Sequence, residues 1–245
     1  MGKKLIKDST LTGIADAIRA KGGASGPMTP QEMPEKIAAI PTEEVGGAAL
    51  DALIDRSITE ISSSSATSIG DYAFQSCSAL TTVDFPAATS IGRGAFASCS
   101  SLTTTNFPVV TLIEDYAFQS CSALTTVDFP VVTLIEDYAF QDCSKLTTVD
   151  LPVATSIGGS AFRYCGALKS LMLRGNNVCT LSSINAFKAT LIDVGTGYIY
   201  VPSALIEQYK AATNWSSYDA QFRSLEDYTV DGTITGELDP SKVGV

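Results

Sequence analysis

Histidine is absent from all 245 residues. That removes the commonest general base, the usual activator of a nucleophile and the commonest metal ligand together. Charge is sparse as well: 17% of residues are Asp, Glu, Lys or Arg, and the 16 basic residues are scattered. A nucleic-acid footprint needs a basic stripe, and none is present. The balance is acidic, with net charge −10 and a pI near 4.4, which favours solubility. No apolar run approaches the roughly 18 residues needed to span a bilayer. The opening MGKKLIKDSTLTGIADAI is basic but has no continuous apolar segment or cleavage site, so it does not read as a secretory signal. With 45% hydrophobic residues, the chain has ample material for a core.

What is abundant is repetition. Residues 108–129 and 130–151 differ at three of twenty-two positions. Phe74, Phe96, Phe118, Phe140 and Phe162 recur every 22 residues, as do Cys77, Cys99, Cys121, Cys143 and Cys165. Leu80 to Leu168, Ile69 to Ile157 and Pro86 to Pro152 keep the same step. A fixed period of this length predicts a stacked array in which each unit buries a face its neighbour completes. The unit reads L-T-T-V-D-F-P-x-x-T-x-I-x-x-x-A-F-x-x-C-x-x. Its L-x-x-V-x-F part alternates as a strand with one buried face. Pro then ends the pairing. A second, shorter extended segment follows around Thr-x-Ile. The Ala-Phe-x-x-Cys-x-x-Leu spacing predicts one helical or 3₁₀ turn. Ile58 and Ile61 align with Leu80 and Val83, giving a degenerate first coil. The sixth coil, from Leu168, is irregular, and Tyr198–Val201 is expected to be the closing strand.

The repeats AFQSCSALTTVDFP and the phrase YIYVPSALIEQYKAATNWSSY resemble the BspA-type leucine-rich repeat family over residues 57–225. The resemblance implies an α/β-type right-handed solenoid of 22-residue coils, with a parallel sheet along one face and a C-terminal helical cap. It implies no single activity, and members are often adhesins or surface-recognition proteins. Four regions are expected: a helical hairpin at 1–41, a linker and short helix at 42–57, the repeat array at 58–201, and a cap with tail at 202–245. The hairpin reading rests on a capping box at Thr29-Pro30-Gln31-Glu32 and on apolar faces around Ile14, Ile18, Ile37 and Ile40. The string LIKDSTLTGIADAIRAKGGASGPMTPQEMPEKIAAI, residues 5–40, resembles a short N-terminal module of tail-associated structural proteins of bacteriophages and prophages.

Phe74, Phe96, Phe118, Phe140 and Phe162 are expected to form the core spine. The cysteine column is expected to be free thiols, because an in-register stack gives poor disulfide geometry and 22-residue spacing does not suit zinc. On the strands the outward positions are Thr82, Asp84, Thr104, Asn106, Thr126, Asp128, Thr148 and Asp150, the candidate ligand face. Such rows could hold a glycan or cation through hydroxyls and carboxylates, or simply form a solvated face that discourages lateral association. Tyr72, Tyr116 and Tyr138, beside Asp71, Asp115 and Asp137, form a second row suited to sugar stacking or to packing. No catalytic set, metal set or cofactor is expected. The reading is a non-enzymatic adhesion or receptor-recognition protein of a phage tail or bacterial surface, recognising a protein or cell-surface glycan. The alternative is a structural, self-assembling component with no external ligand. Residues 1–41 are the expected route to a homo-oligomer. Neither nucleic-acid binding nor membrane insertion is expected, and a cytoplasmic location stays open.

Overall fold

A computed structural model describes residues 56–227. The expected hairpin at 1–41, nearly all of the 42–57 linker and the tail beyond 227 lie outside the described residues. Each coil begins with a short strand: β1 (Glu60–Ser62), β3 (Thr82–Asp84), β5 (Thr104–Asn106), β7 (Thr126–Asp128), β9 (Thr148–Leu151) and β11 (Ser170–Leu173). After a turn at proline, or at a serine-rich bend in the first coil and a loop in the sixth, come two-residue strands: β2 (Ser68–Ile69), β4 (Ser90–Ile91), β6 (Leu112–Ile113), β8 (Leu134–Ile135), β10 (Ser156–Ile157) and β12 (Thr180–Leu181). All pairing is parallel, and Ile61 sits beside Val83 as the sequence alignment requires. The second extended segment therefore adds a six-stranded sheet to the strands along the first face.

The Ala-Phe-x-x-Cys segment forms hydrogen-bonded turns rather than the helical or 3₁₀ turn expected. Its N–H groups alternate in destination. Cys121 N–H reaches back three residues to Phe118 O, while Phe118 N–H crosses to Ala139 O at 2.7 Å and Ser120 N–H to Gln141 O at 2.8 Å. A helix would direct all of them inside its own coil. The alternation is made by left-handed backbone at Tyr72, Tyr116, Tyr138 and Ser160, with Gly94 at the same place, and again at Ser76, Ser98, Ser120 and Asp142. Each non-glycine residue there costs about 1 kcal/mol, offset by the bonds between coils.

The core is one continuous cluster running through the coils. Phe74, Phe96, Phe118, Phe140 and Phe162 are buried and stack at centroid separations of 5.4, 5.3, 5.2 and 5.3 Å. A second column, Phe85, Phe107 and Phe129, interleaves with the first and passes into Leu151 and Leu173. The cysteines fill the turn behind these rings. Thiols of Cys99, Cys121, Cys143 and Cys165 donate to the carbonyls of Phe74, Phe96, Phe118 and Phe140 at 3.1–3.2 Å. All six cysteines are buried and free.

The C-terminal segment caps the stack by completing bonds that a seventh coil would have made. Beyond β13 (Tyr198–Val201), helix α1 (Ile206–Ala211) leads into a 3₁₀ segment at Trp215–Gln221. The helix stops at Ala211, because Ala212 is already extended and Asn214 is left-handed. Trp215 packs on Phe187, the last ring of the Phe column, at 5.9 Å. Its indole N–H donates to Cys179 O at 2.6 Å, and Cys179 N–H donates to the Tyr209 hydroxyl at 2.9 Å. Asn214 and Tyr218 donate to the carbonyls of Leu181 and Ile184, both at 2.6 Å. The closing strand is not β13 but β14 (Phe222–Ser224), which pairs in parallel beyond it through Ile199 and Phe222.

Candidate functional site

The candidate ligand face is the outward side of β3, β5, β7 and β9. Parallel register places Thr82 beside Thr104 and Asp84 beside Asn106. One step on, Thr126 lies beside Thr148 and Asp128 beside Asp150. The like charges that the sequence stacks together are largely separated by partners. Asn106 Nδ2 donates to Asp84 Oδ1 at 2.7 Å. Asp150 takes a two-pronged contact from Arg174, through Nε at 2.9 Å and Nη2 at 2.9 Å. Arg174 escaped the sequence reading because it lies in LMLRGNN, where the 22-residue period breaks and alignment gives no column. The Asp128 carboxylate has no hydrogen-bond or ion-pair partner among the described residues.

The face is also not continuous. The strand order is β1-β3-β5 in one sheet and β14-β13-β11-β9-β7 in another, with no pairing between β5 and β7. A threonine ladder shows the same gap: Thr81, Thr103 and Thr147 donate to Thr59 O, Thr81 O and Thr125 O, with no such bond from Thr125 to Thr103. On the second sheet the equivalent ladder runs unbroken from Thr67 to Thr155. The coils therefore part on one face while staying joined on the other. The inward residue of β5 is Thr105, where the neighbouring strands carry Val83, Val127 and Val149. A hydroxyl buried without a partner is penalised. Thr105 stays half-buried, and Val127 opposite is 7% exposed whereas Val83 and Val149 are fully buried. Thr103, Thr104, Asn106, Thr125, Thr126 and Asp128 are all exposed as a result.

Along the other edge the acids of the Tyr row serve the backbone. Asp71, Asp115 and Asp137 each accept, through Oδ1, the N–H of the residue one coil on: Arg93, Asp137 and Gly159. Tyr116 and Tyr138 stack face to face at 4.8 Å with parallel planes. The Glu114 carboxyl is raised by desolvation and then by Asp71, Asp115 and Glu136, which marks a local excess of negative charge.

Burial pushes the thiols of Cys77, Cys121 and Cys179 up to about 12, and those of Cys99 and Cys143 upward too, so thiolate chemistry is suppressed. Among the described residues there is no cluster of acids and cysteines arranged to hold a metal, and no helix long and apolar enough to cross a membrane.

The family profile described as BspA type Leucine rich repeat region matches residues 67–193 in six copies, a little over half of the chain. The chain belongs to the BspA-type leucine-rich repeat family. Solved structures with similar folds include a leucine-rich cell surface protein of Faecalibacterium prausnitzii, at 28% identity and TM-score 0.38, covering 49% of this chain and 40% of that one. A leucine-rich repeat protein of Eubacterium ventriosum matches at 28% identity and TM-score 0.45, over 58% of this chain and 36% of that one. The pneumococcal vaccine antigen PcpA matches at 16% identity and TM-score 0.49, over 67% and 39%. The BspA-type chain thus spans less than half the length of these proteins. No protein of curated function matches it.

Proposed function

We propose that this BspA-type protein is a non-enzymatic recognition protein that binds a protein or glycan ligand through the strand face where β5 and β7 part. The observation that carries this reading is the cluster of exposed Thr103, Thr104, Asn106, Thr125, Thr126 and Asp128 at that parting, with one carboxylate lacking an internal partner. Hydroxyl and carboxamide groups on adjacent coils offer both donors and acceptors at strand spacing. Repetition supports it further, since adjacent coils give several weak contacts that act together. The family resemblance points the same way, because its members are often adhesins. The likeness of residues 5–40 to modules of phage tail proteins supports a place on a virion, and the family's surface-recognition members support a cell surface.

The test is a screen of immobilised glycans and cell-surface proteins with the full-length protein and two variants, Asp128→Ala and Thr104→Ala/Thr126→Ala. A ligand that binds the wild type and loses at least about tenfold in affinity with either variant supports the assignment. A ligand held equally by all three moves the site elsewhere. Assembly through residues 1–41 is the competing reading. Light scattering of the full chain beside a form lacking those residues separates them: a multimer that falls to a monomer on truncation, with no ligand found, favours a structural role.

A further inference from the structure

On the six-stranded sheet each coil turns outward the residue before its buried isoleucine or leucine. Reading along the stack, those residues are Ser68, Ser90, Leu112, Leu134, Ser156 and Thr180. The core does not call for Leu112 or Leu134, because Ile113 and Ile135 beside them already fill it. The position after proline holds a second aliphatic row: Ala87, Val109, Val131 and Val153. Parallel register stacks both rows at strand spacing, about 4.8 Å per coil. Val109, Val131, Leu134 and Val153 are 38–43% exposed. They are four of the seven large hydrophobic side chains exposed among the described residues, so they form a patch on three adjacent coils rather than the scattered apolar residues normal on a surface.

The patch has a recess and a border. At its far end Val153 lines an open groove of about 520 Å³, with Pro152 and Ala154 from its own coil and Gly175, Asn177 and Val178 from the sixth-coil loop. That loop stands there because the sixth coil replaces the proline turn with RGNNV, where the 22-residue period breaks. Residues 107–113, 129–135 and 151–159 contain no Asp, Glu, Lys or Arg, although 17% of the chain is charged. Glu114 and Glu136 follow directly at the edge of the patch, and neither makes an ion pair among the described residues.

We propose that this patch and groove dock a partner protein through an aliphatic segment flanked by lysine or arginine. Aliphatic side chains of the partner cover Val109, Leu112, Val131 and Leu134, one enters the groove beside Val153, and the flanking cations meet Glu114 and Glu136. An uncharged centre with a polar border is the anatomy of a protein interface. Charge selects the occupant. A second copy would set Glu114 and Glu136 against their own kind and −10 against −10, whereas a basic segment is drawn in. The patch belongs to a different sheet from the strand face at β5 and β7, and Asp128 takes no part in it, so the proposal stands or falls independently of the role given to Asp128.

The experiment titrates the full-length protein, methyl-labelled at valine and leucine, with the peptide acetyl-KKLPVLKK-amide and follows it by NMR. Saturable shifts of the Val109, Val131, Leu134 and Val153 methyls are expected. Glu136→Gln should weaken binding about threefold, and high salt should weaken it too. Leu112→Ser/Leu134→Ser should weaken it about tenfold and leave Tm unchanged, since serine is the residue at this place in the second and fifth coils. Val131→Ala, which copies Ala87, should weaken it about threefold. A fall in Tm of the double variant would make the leucines core residues and overturn the proposal. So would methyls that do not respond, or the acidic peptide acetyl-EELPVLEE-amide saturating them as tightly. Shifts that follow protein concentration without any peptide would put a second copy on the face and overturn it as well.

Discussion

Truncation of Phe118 should do more than weaken the protein: it should break one transition into two. Phe118 is fully buried and touches four rings: Phe96 and Phe140 in its own column at 5.3 and 5.2 Å, Phe107 and Phe129 in the other at 6.2 and 5.9 Å. Phe118→Ala leaves a cavity bounded by stacked coils that cannot collapse without losing bonds such as Phe118 N–H to Ala139 O. The cost is about 3–5 kcal/mol for a buried Phe, toward the upper end here because several aromatic contacts go with it. For a folded unit of this size that corresponds to a fall in Tm of about 10–15 °C. In a solenoid stability is a sum of coil and interface energies, and this loss falls at an interface already lacking strand pairing between β5 and β7. Trp215, the chain's one tryptophan, reports the C-terminal cap, while far-UV circular dichroism reports all coils. In the wild type the two signals should melt together. In Phe118→Ala the circular dichroism should begin to fall first, with Trp215 following at higher temperature. As a control, Phe74→Ala in the first coil, where Phe85 and Phe96 are the ring neighbours among the described residues, should cost less and leave the signals closer together. An unchanged Tm for Phe118→Ala, or coincident transitions in it, would refute the reasoning.

Other consequences can be checked directly. Thr105→Val should stabilise by about 1 kcal/mol by replacing a half-buried hydroxyl, and should slow hydrogen exchange at the amides of 125–128 as β5 and β7 pair; unchanged exchange would show that Thr105 does not cause the parting. The native protein at pH 8 should leave its thiols unreactive toward a disulfide reagent and release six after denaturation, a count that any disulfide would lower. Cys77, Cys121 and Cys179 have folded values near 12 against an ordinary 9, so the folded state holds their protons longer than the unfolded chain. Their contribution is therefore complete below pH 9 and is lost as pH rises from 9 through 12, which urea midpoints across that range would show. Trp215→Ala should cost about 3–5 kcal/mol, since it uncaps the Phe column and leaves Cys179 O without its donor.

The one-dimensional pattern determined nearly all of the architecture, because in a solenoid the contacts of each coil are set by the next coil's identical positions. Period, register and the inward set of Leu, Val, Ile, Phe and Cys could be read from columns 22 residues apart, and even the degenerate Ile61 found its place beside Val83. Tertiary structure decided what columns do not encode. Backbone N–H groups in the Ala-Phe-x-x-Cys segment had a choice between their own coil and the next, and stacking resolved it toward alternation. Arg174 reached Asp150 from a loop that breaks the period, and β14 joined the sheet from beyond the cap, neither of them in alignment with anything. Thr105 is one letter among many threonines, but only in the packed array does its hydroxyl meet a position where its neighbours are dry.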